Sequence, residues 1–542
     1  MKINKILSYL DKITLQNKII FLIFFFLYLL FSFSIIDQYS NVLNNPDLYR
    51  YFLGDGASHI ARIDKIDKEL NLNRIHPATY YFNNYYIFPA TLLKFLKVFF
   101  GYNYSLAGIS AVIVNLLSIF FICVYGYLIC FNISKSKIFS LGIILLIWHG
   151  DLIKYALRIY PDILQLAFMF AAVYYATSQH KFNWLLSFVF CGLAFGVKAQ
   201  GLLITVYLLT LFFFMELSKH NFKINDIKLS LFKTFLYALV FLGAFFILNQ
   251  IDPIQLLKEI FSVATEKVRD QGFDNSERAF RFLTIIFREK SNIVIFLITI
   301  CIGYTLNFNV KKNKILFLVT LIFLLLFYYQ ASNNSFALYG PRYLYHLLPL
   351  IILLLSISLN NISNYFCQKK LKMISLIFTI IIFGYGLNLF KNTFFKSISI
   401  YNFKDRVQSG QEIEGYNFLK TIRPNYDNPL VCAGRYSLVP RGSQGYRRVR
   451  KSDHLDYEKI IRNKKCNLVI LDQSTPGVYI WFDGTIDNII IKKYENLSYH
   501  DQGFGKDKIE KTQQLIKYIL TDLKSGYEVI FYNKKMIVLT TR

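Results

Sequence analysis

Two acids stand where polar chain meets long apolar stretches. Asp55, in Leu53-Gly54-Asp55-Gly56-Ala57-Ser58-His59, has a glycine on each side, so the backbone can turn sharply and present the carboxylate without a bulky neighbour. An exposed Asp, with a reference pKa of ~3.9, is ionised at pH 7 and can take a proton from an attacking hydroxyl or amine, or steer it. The same residue would serve equally as a turn residue capping a helix that begins near Ser58. Asp162 follows Arg158-Ile159-Tyr160-Pro161. Proline suits the first helical position and an acid the first turn, so a plain helix start accounts for the pattern. A carboxylate at a bilayer edge with Arg158 close by is also costly enough to suggest a functional site.

Cations and aromatics lie at comparable positions. Lys198 sits in Gly192-Leu193-Ala194-Phe195-Gly196-Val197-Lys198-Ala199-Gln200-Gly201, where one apolar run turns into the next with almost no loop. Its ammonium can snorkel to the interface or hold a phosphate as a point charge, while Gly192, Ala194 and Gly196 allow close helix packing. Arg342 and Tyr343 open another apolar run, in Tyr339-Gly340-Pro341-Arg342-Tyr343. A guanidinium fork suits phosphate oxygens and a tyrosine suits a sugar hydroxyl, although both also anchor helices at a membrane edge. Arg278 and Arg281, in a long polar loop, are weaker candidates for the same anion. The stretch His76 to Tyr86 is dense in tyrosine, Tyr81 and Tyr85 among them; such rings stack on sugars or lipid head groups, or form an interfacial belt. His59, His76 and His149 with the two aspartates have no recognised ligand spacing, so a divalent metal is open but not indicated.

The elements that must position these groups are membrane helices. Of 542 residues, 54% are hydrophobic and 18% aromatic, which excludes an ordinary soluble protein. The formal charge of +27 reads as positive-inside loops and a basic face toward anionic lipid phosphates, with no nucleic acid as partner. Ile19 to Ile36 is the first apolar run; Lys2, Lys5, Asp11, Lys12 and Lys18 precede it and no small-residue cleavage site follows, so a retained anchor is expected. Residues 37 to 103 form an outer loop with two interfacial helices, at Ala57 to Leu70 and Ile87 to Phe100. Further spans are expected near 104–130, 138–150, 160–178, 184–199, 201–217, 231–249, 291–308, 315–331, 342–360 and 373–390, about eleven in all.

Basic residues fix the orientation. Lys135, Lys137, Lys181, Lys219, Lys223, Lys311, Lys312, Lys314, Lys369, Lys370 and Lys372 all fall on the side of the N-terminus, which places that side in the cytoplasm. The loop with Asp55, the turn before Asp162, residues 250–290, the segment before Arg342 and everything after residue 391 then share the outer side. Residues 391–542 change character: Leu430 to Ala433, Leu468 to Leu471 and Val529 to Tyr532 read as strands and Ile509 to Lys524 as a helix, giving a small soluble α/β domain after the membrane domain of residues 1–390. Of the seven cysteines, only Cys432 and Cys466 share that domain, where a disulfide is open to them.

In their order and shared sidedness, Asp55 in the first outer loop, the His76 to Pro89 aromatic stretch, Tyr160-Pro161-Asp162, the Gly192 to Lys198 hairpin and Pro341-Arg342-Tyr343 resemble the GT-C superfamily of membrane glycosyltransferases. The nearest likeness is to the protein O-mannosyltransferases and the lipid A aminoarabinose transferases, glycosyltransferase families 39 and 83, over roughly residues 15–390. The resemblance implies a polyprenyl-phosphate sugar donor, a lipid, glycan or protein acceptor arriving from outside, and inversion in a single displacement, in a bacterial inner membrane. It implies Asp55 as base, Asp162 as a second acid positioning Asp55 or the acceptor, and Lys198 and Arg342 on the departing lipid phosphate; beside these, Arg158 and Arg278 are candidates for the phosphate and His59, Tyr81, Tyr85 and Tyr343 for contact with sugar or lipid head. Many relatives carry two adjacent acids in the first loop, whereas Asp55 is followed by Gly56. A transporter or flippase for a lipid-linked sugar is the alternative. Transporters commonly show related halves and charges near the midplane; no repeat is evident here and the polar groups gather at one edge.

Overall fold

A computed structural model of the chain describes residues 59–60, 62–64, 84–101, 104–147, 151–178, 182–198, 200–219, 224–248, 290–306, 311–332, 345–369 and 371–400. Toward the C-terminus it describes 411–426, 429–433, 439–440, 447–448, 466–472, 480–481, 490–491, 527–533 and 536–541. Asp55, Tyr81, Arg278, Arg342, Tyr343, the run 19–36 and the stretch 509–524 lie outside the described residues.

Among the described residues the membrane part is helical: α1 (Asn84–Phe100), α2 (Tyr104–Ser134), α3 (Lys137–Ile147), α4 (Asp151–Leu157), α5 (Asp162–Thr177), α6 (Asn183–Val197), α7 (Gly201–Lys219), α8 (Ile224–Leu248), α9 (Lys290–Thr305), α10 (Lys311–Ser332), α11 (Leu348–Gln368) and α12 (Lys372–Ile400). Among the described residues four segments, Leu106–Ser134, Gly201–Lys219, Asp226–Phe246 and Tyr345–Gln368, are long and apolar enough to cross a membrane. Shorter apolar helices accompany them. The chain is a polytopic helical membrane protein.

Burial divides the helices into an inner and an outer set. In α5 and α11 almost every apolar side chain is covered by protein, including Leu166, Phe170 and Val173 on the first and Leu350, Leu353 and Leu354 on the second. Leu231, Phe232, Phe235 and Leu239 on α8, Ile295 and Ile298 on α9, and Ile380 and Ile381 on α12 are exposed, as suits surfaces meeting lipid tails. Neighbours in sequence pack as hairpins, α5 on α6 and α6 on α7, while α2 lies against α5 and α12 against α3. Small residues set the closest approaches. A Cβ on Gly192 would stand 2.6 Å from the Phe241 carbonyl oxygen of α8, and one on Gly303 2.4 Å from the Ser358 Cβ of α11. Only hydrogen fits there, as in helix contacts that rely on small side chains.

Two expected spans differ in detail. The run expected at 138–150 ends as a helix at Ile147, and a separate short helix, α4, precedes the turn to Asp162. The span expected from residue 342 begins as a regular helix only at Leu348, with Pro349 in its first turn, because proline fits a helix start and interrupts a helix interior.

After residue 400 the described structure turns to strands. Helix α13 (Gln411–Ile422) precedes β1 (Leu430–Ala433), β2 (Arg447–Arg448), β3 (Leu468–Asp472), β4 (Ile480–Trp481), β5 (Ile490–Ile491), β6 (Tyr527–Asn533) and β7 (Met536–Thr541). The main sheet runs β2-β1-β3-β7-β6, parallel across β2, β1 and β3 and antiparallel thereafter. Helix α13 covers one face. Leu419 joins Val431, Leu468, Ile470, Met536 and Val538 in a small core, and Phe418 stacks on Phe531 with ring centres 4.6 Å apart. Cys432 and Cys466 form a disulfide with Cα atoms 5.8 Å apart.

Candidate functional site

The site begins with a strained turn. After α4 the chain passes Arg158 and reaches Ile159 with φ at 60°, a left-handed conformation that a β-branched residue adopts only under constraint, at a cost of about 1–2 kcal/mol. The constraint is visible: the Ile159 N–H donates to the Ala156 carbonyl at 3.1 Å and the Tyr160 N–H to that of Tyr155 at 3.0 Å. From α2, the buried Asn115 amide donates to the carbonyls of Ala156 at 3.1 Å and Tyr160 at 3.3 Å. These bonds turn the chain so that Pro161 precedes α5 and Asp162 becomes its first residue. Such strain clusters at functional sites because the surroundings must over-determine it.

Lys198 meets Asp162 from the next hairpin. It caps α6 in an extended conformation, φ −159° and ψ 144°, and its ammonium donates to Asp162 Oδ1. Both side chains are almost wholly buried, 4% and 1% exposed. The ammonium therefore turns inward to the acid and does not reach for the interface. Gln165, one turn into α5, donates through Nε2 to the Lys198 carbonyl at 2.6 Å and the Ala194 carbonyl at 3.3 Å. Gly201 closes the hairpin, its N–H donating to the Lys198 carbonyl at 2.9 Å; a Cβ there would lie 2.4 Å from the Phe195 nitrogen. The other Asp162 oxygen, Oδ2, is buried with no hydrogen-bond partner among the described residues.

An aromatic and basic layer lies beside this pair. His59 Nδ1 and the Tyr86 hydroxyl are 2.9 Å apart, and Arg62 donates to the same hydroxyl at 3.0 Å. Arginine can only donate, so the Tyr86 oxygen accepts from Arg62 and its own hydrogen is best satisfied by His59 Nδ1. Tyr85 packs edge-on against Tyr86 with ring centres 5.3 Å apart, and the Tyr160 ring is 6.3 Å from His59. Burial pushes the Tyr85 phenol well above its ordinary pKa, with Tyr86 and the Asp162 charge adding to the rise and Asn115 opposing it. Burial also raises Tyr86, against the pull of Arg62. Both phenols stay protonated near neutral pH and remain hydrogen donors.

Of the residues singled out in sequence, Asp162, Lys198, His59 and Tyr85 therefore share one neighbourhood. Arg158 is half-buried at the end of α4, its Nε without a hydrogen-bond partner among the described residues, and the cation bound to Asp162 is Lys198. Arg62, Asn115 and Gln165 were not anticipated, and Tyr86 entered only as the last residue of the tyrosine-dense stretch. Asn115 and Gln165 carried a legible signal, a buried amide inside an apolar span, where an unpaired polar group costs heavily. Among the described residues no three His, Cys, Asp or Glu side chains come together as metal ligands.

No protein-family profile and no curated protein matches the chain. Among the solved structures with a similar course are two of ArnT. One is ArnT from Cupriavidus metallidurans bound to undecaprenyl phosphate, with 10% identity, 96% of this chain and 97% of that one covered, and a TM-score of 0.46. The other is the same organism's ArnT in the apo state, with 9% identity, 89% and 92% coverage, and a TM-score of 0.46. At these values no residue role is carried across.

Proposed function

We propose that the chain is an inverting glycosyltransferase that moves a sugar from a polyprenyl-phosphate donor to a lipid, glycan or protein acceptor at the outer face of a bacterial inner membrane. The observation that supports it most is the buried pair of Asp162 and Lys198, an acid and a phosphate-type cation held together where two helices end. The donor class comes from the resemblance read in the sequence, and it is also the ligand class of the ArnT structure described above.

The chemistry asks little of the protein. A sugar bonded to phosphate already carries a good leaving group, so the site must align the nucleophile, accept its proton and neutralise charge developing on the phosphate. In this reading Asp55 takes the proton from the acceptor and Asp162 positions Asp55 or the acceptor. Lys198 and Arg342 meet the departing phosphate, with Arg158 and Arg278 as further cations. Tyr85 and His59 line the sugar side, joined by Tyr81 and Tyr343. The N-terminus lies in the cytoplasm and residues after 391 lie outside; a disulfide at Cys432 and Cys466 suits an oxidising compartment.

The test is transfer by purified protein from a panel of radiolabelled polyprenyl-phosphate sugars, for wild type and Asp55→Asn, with and without chelator. Transfer or slow donor hydrolysis by wild type, lost in Asp55→Asn, is the expected result, and the chelator arm decides the metal. No turnover with any donor, together with movement of lipid-linked sugar across liposomes by both proteins, would replace this reading with a transporter.

A further inference from the structure

We infer that the Asp162 carboxylate is the resident occupant of an anion site on Lys198, and that the phosphate of an isoprenoid lipid takes its place on binding. The inference rests on the reading of Lys198 as a phosphate holder and adds to it an internal competitor.

The geometry argues for an exchangeable pair. Both groups are sealed from water, and a buried ion pair is often no more stable than apolar side chains of the same volume, so its presence at a membrane edge needs another reason. The carboxylate is only half satisfied: Oδ1 has the ammonium, and Oδ2 has no hydrogen-bond partner among the described residues. The main chain at Lys198 is fixed by Gln165 and Gly201, so the ammonium keeps its place in the hairpin while its partner is exchanged. A phosphate monoester brings close to two negative charges and three accepting oxygens where the carboxylate brings one charge. The displaced carboxylate also has a destination. The Tyr85 hydroxyl is buried with no hydrogen-bond partner among the described residues and lies near enough to feel the Asp162 charge, which makes it the donor toward which the freed carboxylate turns.

An internal competitor weakens a ligand by the fraction of protein in which the site is open, which fixes the sign of the test. Binding of undecaprenyl phosphate and, separately, of inorganic phosphate is measured on the full chain in detergent for wild type, Asp162→Asn, Lys198→Met and the double variant. Asp162→Asn should bind undecaprenyl phosphate about tenfold more tightly, as for a pair closed about nine-tenths of the time. Lys198→Met should bind it at least ~10-fold more weakly, and the double variant should follow Lys198→Met. Tightening confined to the lipid assigns an isoprenoid phosphate as occupant; tightening with inorganic phosphate as well assigns the anion itself.

Equal or weaker binding by Asp162→Asn would overturn the inference. Should that variant not fold, infrared difference spectra of the wild type upon adding undecaprenyl phosphate decide: a shift of a buried carboxylate band is expected, and an unchanged carboxylate region rejects displacement. The outcome is separable from the proposed reaction. Tighter binding by Asp162→Asn with no turnover by the wild type would sink glycosyl transfer alone, and turnover by the wild type without tighter binding by the variant would sink the competitor alone.

Discussion

Lys198 ends one membrane helix, Asp162 begins the helix before it, and their side chains meet in a contact that water does not reach. Removing one partner leaves the other as a buried, uncompensated charge, at a cost of about 3–5 kcal/mol. Asp162→Asn and Lys198→Met should each lower the unfolding midpoint in detergent, and the double variant should lie closer to wild type than either. A double variant as unstable as the sum of the singles would mean that the pair does not couple.

Gly201 has no room for a side chain, since the Phe195 nitrogen would stand 2.4 Å from a Cβ and the Ala194 carbonyl carbon 2.5 Å. Both obstacles are backbone and cannot swing away. Gly201→Ala should cost at least ~1–3 kcal/mol through overpacking and should also displace Lys198. Thermal stability and phosphate binding should fall together; loss of neither would refute the close approach.

Tyr86 ties His59 and Arg62 to α1. Tyr86→Phe keeps the ring and removes both bonds, leaving a buried imidazole nitrogen and a guanidinium N–H to find other partners. A loss of about 2 kcal/mol is expected, with faster proteolysis of the segment before α1 as a local readout. An unchanged cleavage pattern and midpoint would show that the hydroxyl bonds contribute nothing.

The disulfide is countable. Seven cysteines less the bridged Cys432 and Cys466 leave five thiols, so denatured, unreduced protein should react with five equivalents of a thiol reagent and reduced protein with seven. Replacing both bridged cysteines by serine should destabilise the β-rich part by about 2–4 kcal/mol, as its loop spans a sequence separation of 34.

Helix positions were readable because a bilayer demands long apolar runs, and the hairpin from Asn183 through Gly201 to Lys219 falls where hydropathy and its glycines put it. Strand β1 agrees with its sequence pattern to the residue, since a short β-branched and apolar run between polar segments has few other uses. Strand β7 was missed although Met536 to Leu539 is as apolar as β1. The separate helix α4 was missed because seven residues are too few to show a period. At the site, spacing put Asp162 and Lys198 on one side of the membrane, yet could not pair them. That contact depends on how α5 turns about its own axis, which is decided by Asn115 and Gln165 on other faces and by the backbone of Ile159. The pairing of Tyr86 with Arg62 and His59 was illegible for a related reason: only the packing of two separate helical segments brings them together.

The bond from Gln165 to the Lys198 carbonyl makes the polypeptide at that point an anchored pivot. Everything beyond the pivot is a four-carbon arm with a charge at its tip, and the arm's sweep bounds where that charge can stand. Within that radius the charge can be redirected by rotation about the side-chain bonds alone, with the main chain of the hairpin held where Gln165 ties it. Under the proposed reading, ligands are then sorted by where their charge sits along their length, and differences far from that charge go unread.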